Sequence, residues 1–325
     1  MINVESIYWL IGLLFVGWAF LIARDATHPR RWGSSSFWGL LGLCFFYGTA
    51  VEAKTAPAWV LGIAVLVLVA LASTGLLGDG RAKTTTEEQR TAFAGKFGNK
   101  LFIPALALPV VTVAVVLLAP VLKIGAKPLI DPTHTTLVAL GIGAVVAAVV
   151  GVAILRPKNK LAPVLEGRRI LETIGWAALL PQMLSTLGIL FTKAGVGTAV
   201  GTLAKGLLPN GSLIAAVVVY CVGMFIFTVL MGNGFAAFPI MTAAIGWPVL
   251  VQGFHGQPAI VFAIGMLAGF CGTLCTPMAA NFNLVPSALL EMKNKYGVIT
   301  AQVATGVPLL FVNIALMYFL AFPHA

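Results

Sequence analysis

Residues 230–241 read LMGNGFAAFPIM, an apolar stretch interrupted by Gly232-Asn233-Gly234 and then by Pro239. Each glycine weakens a helix by about 1 kcal/mol relative to alanine. The proline removes one amide donor and clashes with the carbonyl group of Phe235. The stretch therefore predicts an unwound turn near residues 232–235 with a half-helix on either side. The alternative is a kink that only lets neighbouring helices pack closely.

The composition places the chain in a membrane. Of its 325 residues, 59% are hydrophobic and 9% are charged, whereas soluble domains carry about 25% charged residues. Runs such as residues 60–77 and 137–155 are long enough to cross a hydrocarbon core of about 30 Å as helices. Alternation at period two is absent, which disfavours a membrane barrel. We predict an all-α polytopic membrane protein with about 8–10 spans.

The two halves of the chain differ in composition. Residues 1–165 carry plain spans of Leu, Val and Ala and are predicted to form a scaffold-like bundle. Residues 166–325 carry small and polar residues within apolar segments and are predicted to form a transport-like half. Residues 4–23 lack a preceding basic residue and a following cleavage site, so we expect a retained span rather than a signal peptide. The predicted apolar segments are residues 4–23, 37–52, 57–78, 101–122, 134–155, 170–208, 213–245, 258–290 and 299–321.

The net charge of +10 comes mainly from Lys and Arg in the connecting loops. Orientation in the bilayer and contact with anionic lipid account for such loops, and no basic-aromatic pattern indicates a nucleic-acid site. If residues 170–208 enter and leave the membrane by the same face, the basic loops all lie on one side. The positive-inside rule then predicts both termini outside the cytoplasm.

A second polar interruption lies in residues 269–290, GFCGTLCTPMAANFNLVPSALL. Amides and hydroxyls inside a membrane segment are costly unless they meet each other, water or a ligand. Asn281 and Asn283 cannot face the same way on a regular helix, so irregular backbone is predicted here too. Thr273 and Thr276 join both asparagines as candidate binding residues. The alternative is that the asparagines only link neighbouring helices.

A third unusual element spans residues 181–209, which have the length of two half-spans. It predicts a re-entrant hairpin whose tip exposes amide groups around Gly195 and Gly197, although two ordinary short spans would also fit. Gln182 and Ser185 are further candidate binding residues near its start. Lys193, beside the tip, would suit an anionic ligand or reach to the membrane interface.

Acidic residues are absent between Glu172 and Glu291. This disfavours a carboxylate proton relay and a cationic substrate in this part of the chain. Na⁺, held by carbonyls, hydroxyls and asparagine near Asn233 and Asn281, suits the residues better than a proton. Half-helix N-termini and asparagine donors favour a small carboxylate as substrate.

Neither a metal site nor an enzyme is expected, and no resident cofactor. Cys271 and Cys275 are four residues apart, but no histidine or acid near them completes a zinc site. The four histidines are not spaced with a serine, cysteine or acid as a catalytic set requires.

Several stretches resemble one bacterial family of inner-membrane proteins, the larger subunits of two-component 5-oxoproline (pyroglutamate) transporters, once listed as a domain of unknown function. They are INVESIYWLIGLLFVGWAFLIARDATHPRRWGSSSFWGLLGL, GNKLFIPALALP, GWAALLPQMLSTLGILFTKAGVG and GNGFAAFPIMTAAIG. The resemblance implies a bacterial inner-membrane location and a smaller integral-membrane partner subunit.

The second half resembles, more distantly, the ion transporter superfamily of carboxylate carriers. That resemblance implies that Asn233, Thr276 and Asn281 line a substrate or Na⁺ site. Those carriers contain two inverted copies of a hairpin and broken helix, whereas this chain shows only one clearly. We therefore expect a subunit of a secondary transporter for a small carboxylate. The alternative is a structural subunit that carries nothing and stabilises a partner carrier.

Overall fold

A computed structural model describes residues 2–78, 86–124, 127–157, 159, 161–207 and 211–322. Seven of its helices are long and apolar enough to cross a membrane, and two shorter apolar helices cover Ala58–Ser73 and Pro258–Thr273. In the described part of the chain, the only strands are a two-residue antiparallel pair, β1 (Lys123–Ile124) with β2 (Lys127–Pro128). The predicted all-α multi-pass membrane fold is therefore confirmed.

The chain divides into two compact units, Met1–Thr173 and Ile174–Ala325. The helices of the first unit are α1 (Val4–Arg24), α2 (Arg31–Glu52), α3 (Ala58–Ser73), α4 (Glu87–Phe97), α5 (Phe102–Leu118), α6 (Thr135–Leu155) and α7, whose last residue is the first of the second unit (Ala162–Ile174). Those of the second unit are α8 (Leu180–Lys193), α9 (Val196–Leu207), α10 (Leu213–Met231), α11 (Gly234–Met241), α12 (Pro258–Thr273), α13 (Leu284–Leu289) and α14 (Gly297–Leu320).

Small residues set the packing of the first unit. α1 and α2 approach so closely that a β-carbon on Gly42 would lie 2.9 Å from the carbonyl oxygen of Gly12. α5 and α6 meet in the same way, because a β-carbon on Gly143 would lie 2.8 Å from the carbonyl oxygen of Leu108. Such close approach is how helices associate in lipid, where burial of apolar surface supplies little driving force.

The second unit is built around α10, which packs against α11, α12 and α14. Its core contains the fully buried side chains of Tyr220 and Met224 from α10, with Leu250, Val261 and Met317 from the elements around it. Glycines on α12 make room for these large side chains. A β-carbon on Gly265 would lie 2.5 Å from the Tyr220 hydroxyl oxygen.

The predicted discontinuous helices are present in the second unit. α10 ends at Met231, Gly232 and Asn233 are unwound, and α11 starts at Gly234. α12 ends at Thr273, and irregular backbone follows until α13 begins at Leu284. Pro239 does not break the helix. α11 runs through it and continues into a π-helix, Thr242–Gly253.

The segment predicted as a re-entrant hairpin consists of two short helices joined at Gly195. α8 has 14 residues and α9 has 12. At 1.5 Å rise per residue, neither reaches across a hydrocarbon core of about 30 Å. The turn between them contains Gly195 at φ +71°, a left-handed conformation that glycine adopts without steric cost.

Candidate functional site

The two helix breaks of the second unit meet face to face. Gly232 has φ +70°, and a β-carbon there would lie 2.5 Å from the carbonyl carbon and oxygen of Met278 in the second break. The Thr276 hydroxyl donates to the carbonyl oxygen of Val229 at 2.8 Å. It also accepts the backbone N–H of Met278 at 3.2 Å. The sequence Gly-Asn-Gly thus lets the chain unwind where another unwound segment passes against it.

Asn283 stabilises the irregular backbone of the second break by hydrogen bonds from its side chain. Its side chain is fully buried, and its amide nitrogen donates to the carbonyl oxygens of Thr273 and Thr276 at 2.8 and 2.6 Å. The Thr273 hydroxyl donates to the carbonyl of Phe270 at 2.6 Å. Among the described residues, the Asn283 Oδ1 acceptor and the Thr228 hydroxyl are buried without a hydrogen-bond partner. We call the region where the two breaks meet the crossing. It therefore contains a buried acceptor and a buried hydroxyl that could bind a ligand or ion.

The other two predicted asparagines, Asn233 and Asn281, are less buried than Asn283. Asn233 is half-buried, and its Oδ1 accepts the Phe235 backbone N–H at 2.9 Å, so it caps the start of α11. Gly234 is buried and lies near the ring of Phe270. Asn281 is exposed and stands outside the buried crossing. The structure thus brings Gly232, Thr273, Thr276 and Asn283 together, but not Asn281.

A groove of about 300 Å³ lies between the α8–α9 turn and the continuous α11 and π-helix. The predicted tip residues Gly195 and Gly197 both line it. Glycines let α9 lie directly on backbone carbonyls of the facing helix, since β-carbons on Gly197 and Gly201 would be 3.4 Å from the Ile240 oxygen and 3.1 Å from the Ala244 oxygen. The remaining lining residues are Thr192, Thr198, Gly201, Thr202, Pro239, Ile240, Ala243, Ala244 and Pro248.

The groove offers hydrogen-bonding groups but no charge. The Thr192 and Thr202 hydroxyls donate to the carbonyl oxygens of Gly188 and Thr198, each at 3.0 Å, which leaves their lone pairs as acceptors. The first turn of a helix has N–H groups without an intrahelical partner. In α9 the N–H groups of Thr198 and Ala199 donate to the Gly195 carbonyl oxygen at 3.0 and 3.2 Å, which leaves those of Val196 and Gly197 for a ligand. A small ligand with both a carboxylate and an N–H group matches this arrangement.

The π-helix and the threonines are features that the sequence reasoning missed. Pro248 lies inside the π-helix, where it supplies no amide hydrogen and leaves one carbonyl without its helical partner. π-helical turns are rare and are frequently found at functional sites. A signal for the groove was present in the spacing of Thr198 and Thr202, which places both on one face of α9.

Three further residues were predicted near the hairpin: Lys193, Gln182 and Ser185. Lys193 is exposed at the end of α8 and does not line the groove. The side chains of Gln182 and Ser185 lie outside the described part of the chain. In that described part, no group of three His, Cys, Asp or Glu side chains is arranged to hold a metal ion.

Comparison with known proteins gives one result. A family model described as "Protein of unknown function (DUF979)" matches residues 5–322, which include nearly all of both units. No curated protein and no solved structure matches the chain.

Proposed function

The chain belongs to the protein family of unknown function DUF979, and we propose that it is a subunit of a secondary transporter for a small carboxylate. The observation that carries the proposal is the meeting of two helix breaks, Gly232 against Met278, inside an apolar helical unit. Unwound backbone within a membrane is stable only when it is buried in protein or lines a watery cavity. Paired breaks of this kind form midplane binding sites in secondary transporters.

The groove beside the α8–α9 turn is the proposed substrate site. Its volume of about 300 Å³ suits a ligand of few atoms, since pockets for drug-sized molecules run from about 300 to 1,000 Å³. The α9 amides would bind the carboxylate, and the threonine oxygens would accept an N–H group. 5-Oxoproline has both groups, and the sequence resemblance supports it as the substrate.

Na⁺ is the proposed coupling ion. Between Glu172 and Glu291 the chain has no acidic residue, so proton coupling would lack a carboxylate there. Asparagine and backbone oxygens are ligands that suit a hard cation better than a proton. The unpartnered Asn283 Oδ1 is the buried acceptor best placed to serve, while Asn233 and Asn281 remain sequence-based candidates.

A smaller integral-membrane partner subunit, in the bacterial inner membrane, completes the proposal. One hairpin and one pair of breaks make half of an inverted repeat, and the partner would supply the other half. The rival interpretation, a structural subunit without transport function, gives no reason for polar, unwound backbone in the second unit.

Uptake of labelled 5-oxoproline by cells that lack their own uptake system tests the proposal. The chain and its partner would be expressed together and separately, with Thr198→Val and Thr202→Val introduced into the chain. Each variant removes a hydroxyl that lines the groove without changing the side-chain shape. Loss of one ligand hydrogen bond is worth about 1 kcal/mol, so the double variant loses about 2 kcal/mol and uptake should fall about thirtyfold.

Thr300→Val is the matched control. The Thr300 hydroxyl also donates to the carbonyl four residues earlier, at 3.1 Å, on an exposed face of α14, but it lies outside the groove. Normal uptake by the double groove variant would refute the site, and uptake by the partner alone would favour the structural role. In vesicles, an imposed Na⁺ gradient should drive uptake, whereas dependence on a proton gradient alone would refute Na⁺ coupling.

A further inference from the structure

A buried cluster of charged groups lies in the first unit, where α7 packs against the loop between α1 and α2. Its members are Asp25 and His28 from the loop and Arg168 and Glu172 from α7. Arg168 donates to the Asp25 carboxylate at 2.7 Å and to Glu172 Oε1 at 3.0 Å. The residues Arg168, Glu172 and His28 are 5%, 4% and 4% exposed. α7 is not one of the apolar spans.

The cluster holds two carboxylates, and the Arg168 guanidinium donates to both. Asp25 is held ionised, because hydrogen bonds from Thr27 and Arg168 lower its pKa to about 2 despite partial burial. Arg168 therefore compensates Asp25, and Glu172 remains as a second negative charge. Burial of an uncompensated charge costs several kcal/mol, so the folded protein favours a proton on Glu172.

The His28 ring accepts a hydrogen bond from the loop backbone. Its Nδ1 accepts the backbone N–H of Arg30 at 3.1 Å, so the ring hydrogen of this tautomer is on Nε2. That atom is 3.7 Å from Glu172 Oε1, beyond hydrogen-bonding distance. A second ring proton, on Nδ1, would break the bond from Arg30. The Arg30 guanidinium itself donates to the carbonyl oxygens of Gly75 and Leu77.

The second oxygen of Glu172 has room for a proton. Glu172 Oε2 is buried with no hydrogen-bond partner among the described residues, as is His28 Nε2. Among the described residues, the charged or titratable groups that act on Glu172 are Arg168, His28 and Asp25. Burial raises the pKa of Glu172 despite the opposing effects of Arg168 and His28.

We propose that Glu172 is a proton-binding site: when it is protonated, the packing of α7 against the α1–α2 loop is stabilised, and when it is ionised, this packing is weakened. Since the folded-state pKa of Glu172 lies above that of the unfolded chain, its stabilising effect is complete at acid pH. The effect is lost as the pH rises through the folded-state pKa. The proposal is independent of the transport site, which lies in the other unit.

Infrared pH-difference spectra of the purified full-length protein test the proposal directly. A protonated carboxyl group gives a carbonyl-stretch band that an ionised one lacks. We expect the wild type to lose such a band as the pH is raised, and Glu172→Gln to lack it throughout. Glu166→Gln is the matched control, because Glu166 lies on the same helix, pairs with Arg169 at 2.7 Å and is partly exposed.

Thermal unfolding of the same proteins gives a second readout that does not depend on one variant. Between about pH 5 and about pH 8, the wild-type and Glu166→Gln midpoints should fall by several degrees with rising pH. The Glu172→Gln midpoint should stay nearly flat. A wild type without the band, a band that persists in Glu172→Gln, or a wild-type midpoint that rises with pH would overturn the proposal. Glu172 would then be an ionised partner of Arg168.

Discussion

Asn283 shows how one side chain holds irregular backbone together inside the second unit. Both of its amide hydrogens go to carbonyl oxygens of the second break, those of Thr273 and Thr276. Buried carbonyls without such donors carry a desolvation penalty. The polar side chains of the breaks therefore form hydrogen bonds mainly with the backbone. Only polar atoms without such a bond, such as Asn283 Oδ1, are available to a ligand.

We predict that Asn283→Ala destabilises the protein strongly. The substitution leaves two buried carbonyl oxygens unsatisfied, at about 1–3 kcal/mol each, so the expected loss is about 2–6 kcal/mol. Thermal unfolding in detergent measures it as a lower midpoint. Asn281→Ala, two positions away and exposed, should change the midpoint little; equal effects of the two variants would contradict the assigned roles.

Both asparagines were predicted as site residues, yet only one is buried. The sequence indicated that they cannot share a helix face, and hence that the backbone is irregular. Which of them faces inward could not be predicted, because irregular backbone has no fixed period that relates position to orientation. The same holds for Asn233, whose role as a cap depends on α11 starting at the next residue.

At the scale of secondary-structure elements, the residues at the end of one helix and the start of the next determine where the first break lies. Gly232 ends α10 in a left-handed conformation, and Asn233 starts α11 by accepting the Phe235 N–H. Both signals can be read from three adjacent letters, so the first break was predictable to within two residues. The π-helix Thr242–Gly253 was not, because the choice between α and π hydrogen bonding depends on what packs against the helix. Tyr220, for example, fills the space beside Gly246.

We predict that Gly232→Ala disrupts the meeting of the two breaks. Its β-carbon would lie 2.5 Å from the backbone of Met278, which cannot move aside as a flexible side chain can. Strain in the left-handed region adds about 1 kcal/mol, and overpacking adds about 1–3 kcal/mol. Thermal unfolding should show a loss of about 2–4 kcal/mol, with uptake abolished.

Gly62→Ala is the control for this variant. Gly62 lies inside α3, and a β-carbon on it would have no neighbouring atom within 4 Å, so alanine there should be neutral or slightly stabilising. If Gly232→Ala unfolds at the wild-type temperature and transports normally, the two breaks do not depend on glycine and the account of the crossing is wrong.

The whole molecule combines a first unit of packed spans with a second unit that contains both breaks and the groove. Most apolar segments were predictable, because an apolar run long enough to cross lipid leaves few alternatives. About 8–10 spans were predicted, and the described part of the chain has seven long apolar helices and two shorter ones. Residues 213–245, predicted as one segment, belong to two candidate spans, Leu213–Met231 and Gly234–Gly253. The groove was only partly predictable: Gly195 and Gly197 follow from the hairpin interpretation, whereas Ile240 and Ala244 lie beside α9 through tertiary packing. Which membrane face each loop occupies is still a prediction from the basic residues.

The most direct test of the account is protection of the groove by its ligand. Thr198→Cys would be introduced into a chain whose four cysteines are replaced by alanine, and expressed with the partner. A small water-soluble maleimide would then be applied to opened membranes. We predict that the new cysteine reacts and that 5-oxoproline slows the reaction several-fold, while Thr300→Cys reacts at one rate with or without it. If Thr198→Cys still supports uptake but reacts at the same rate in saturating 5-oxoproline, the solute does not bind in this groove and the central claim is wrong.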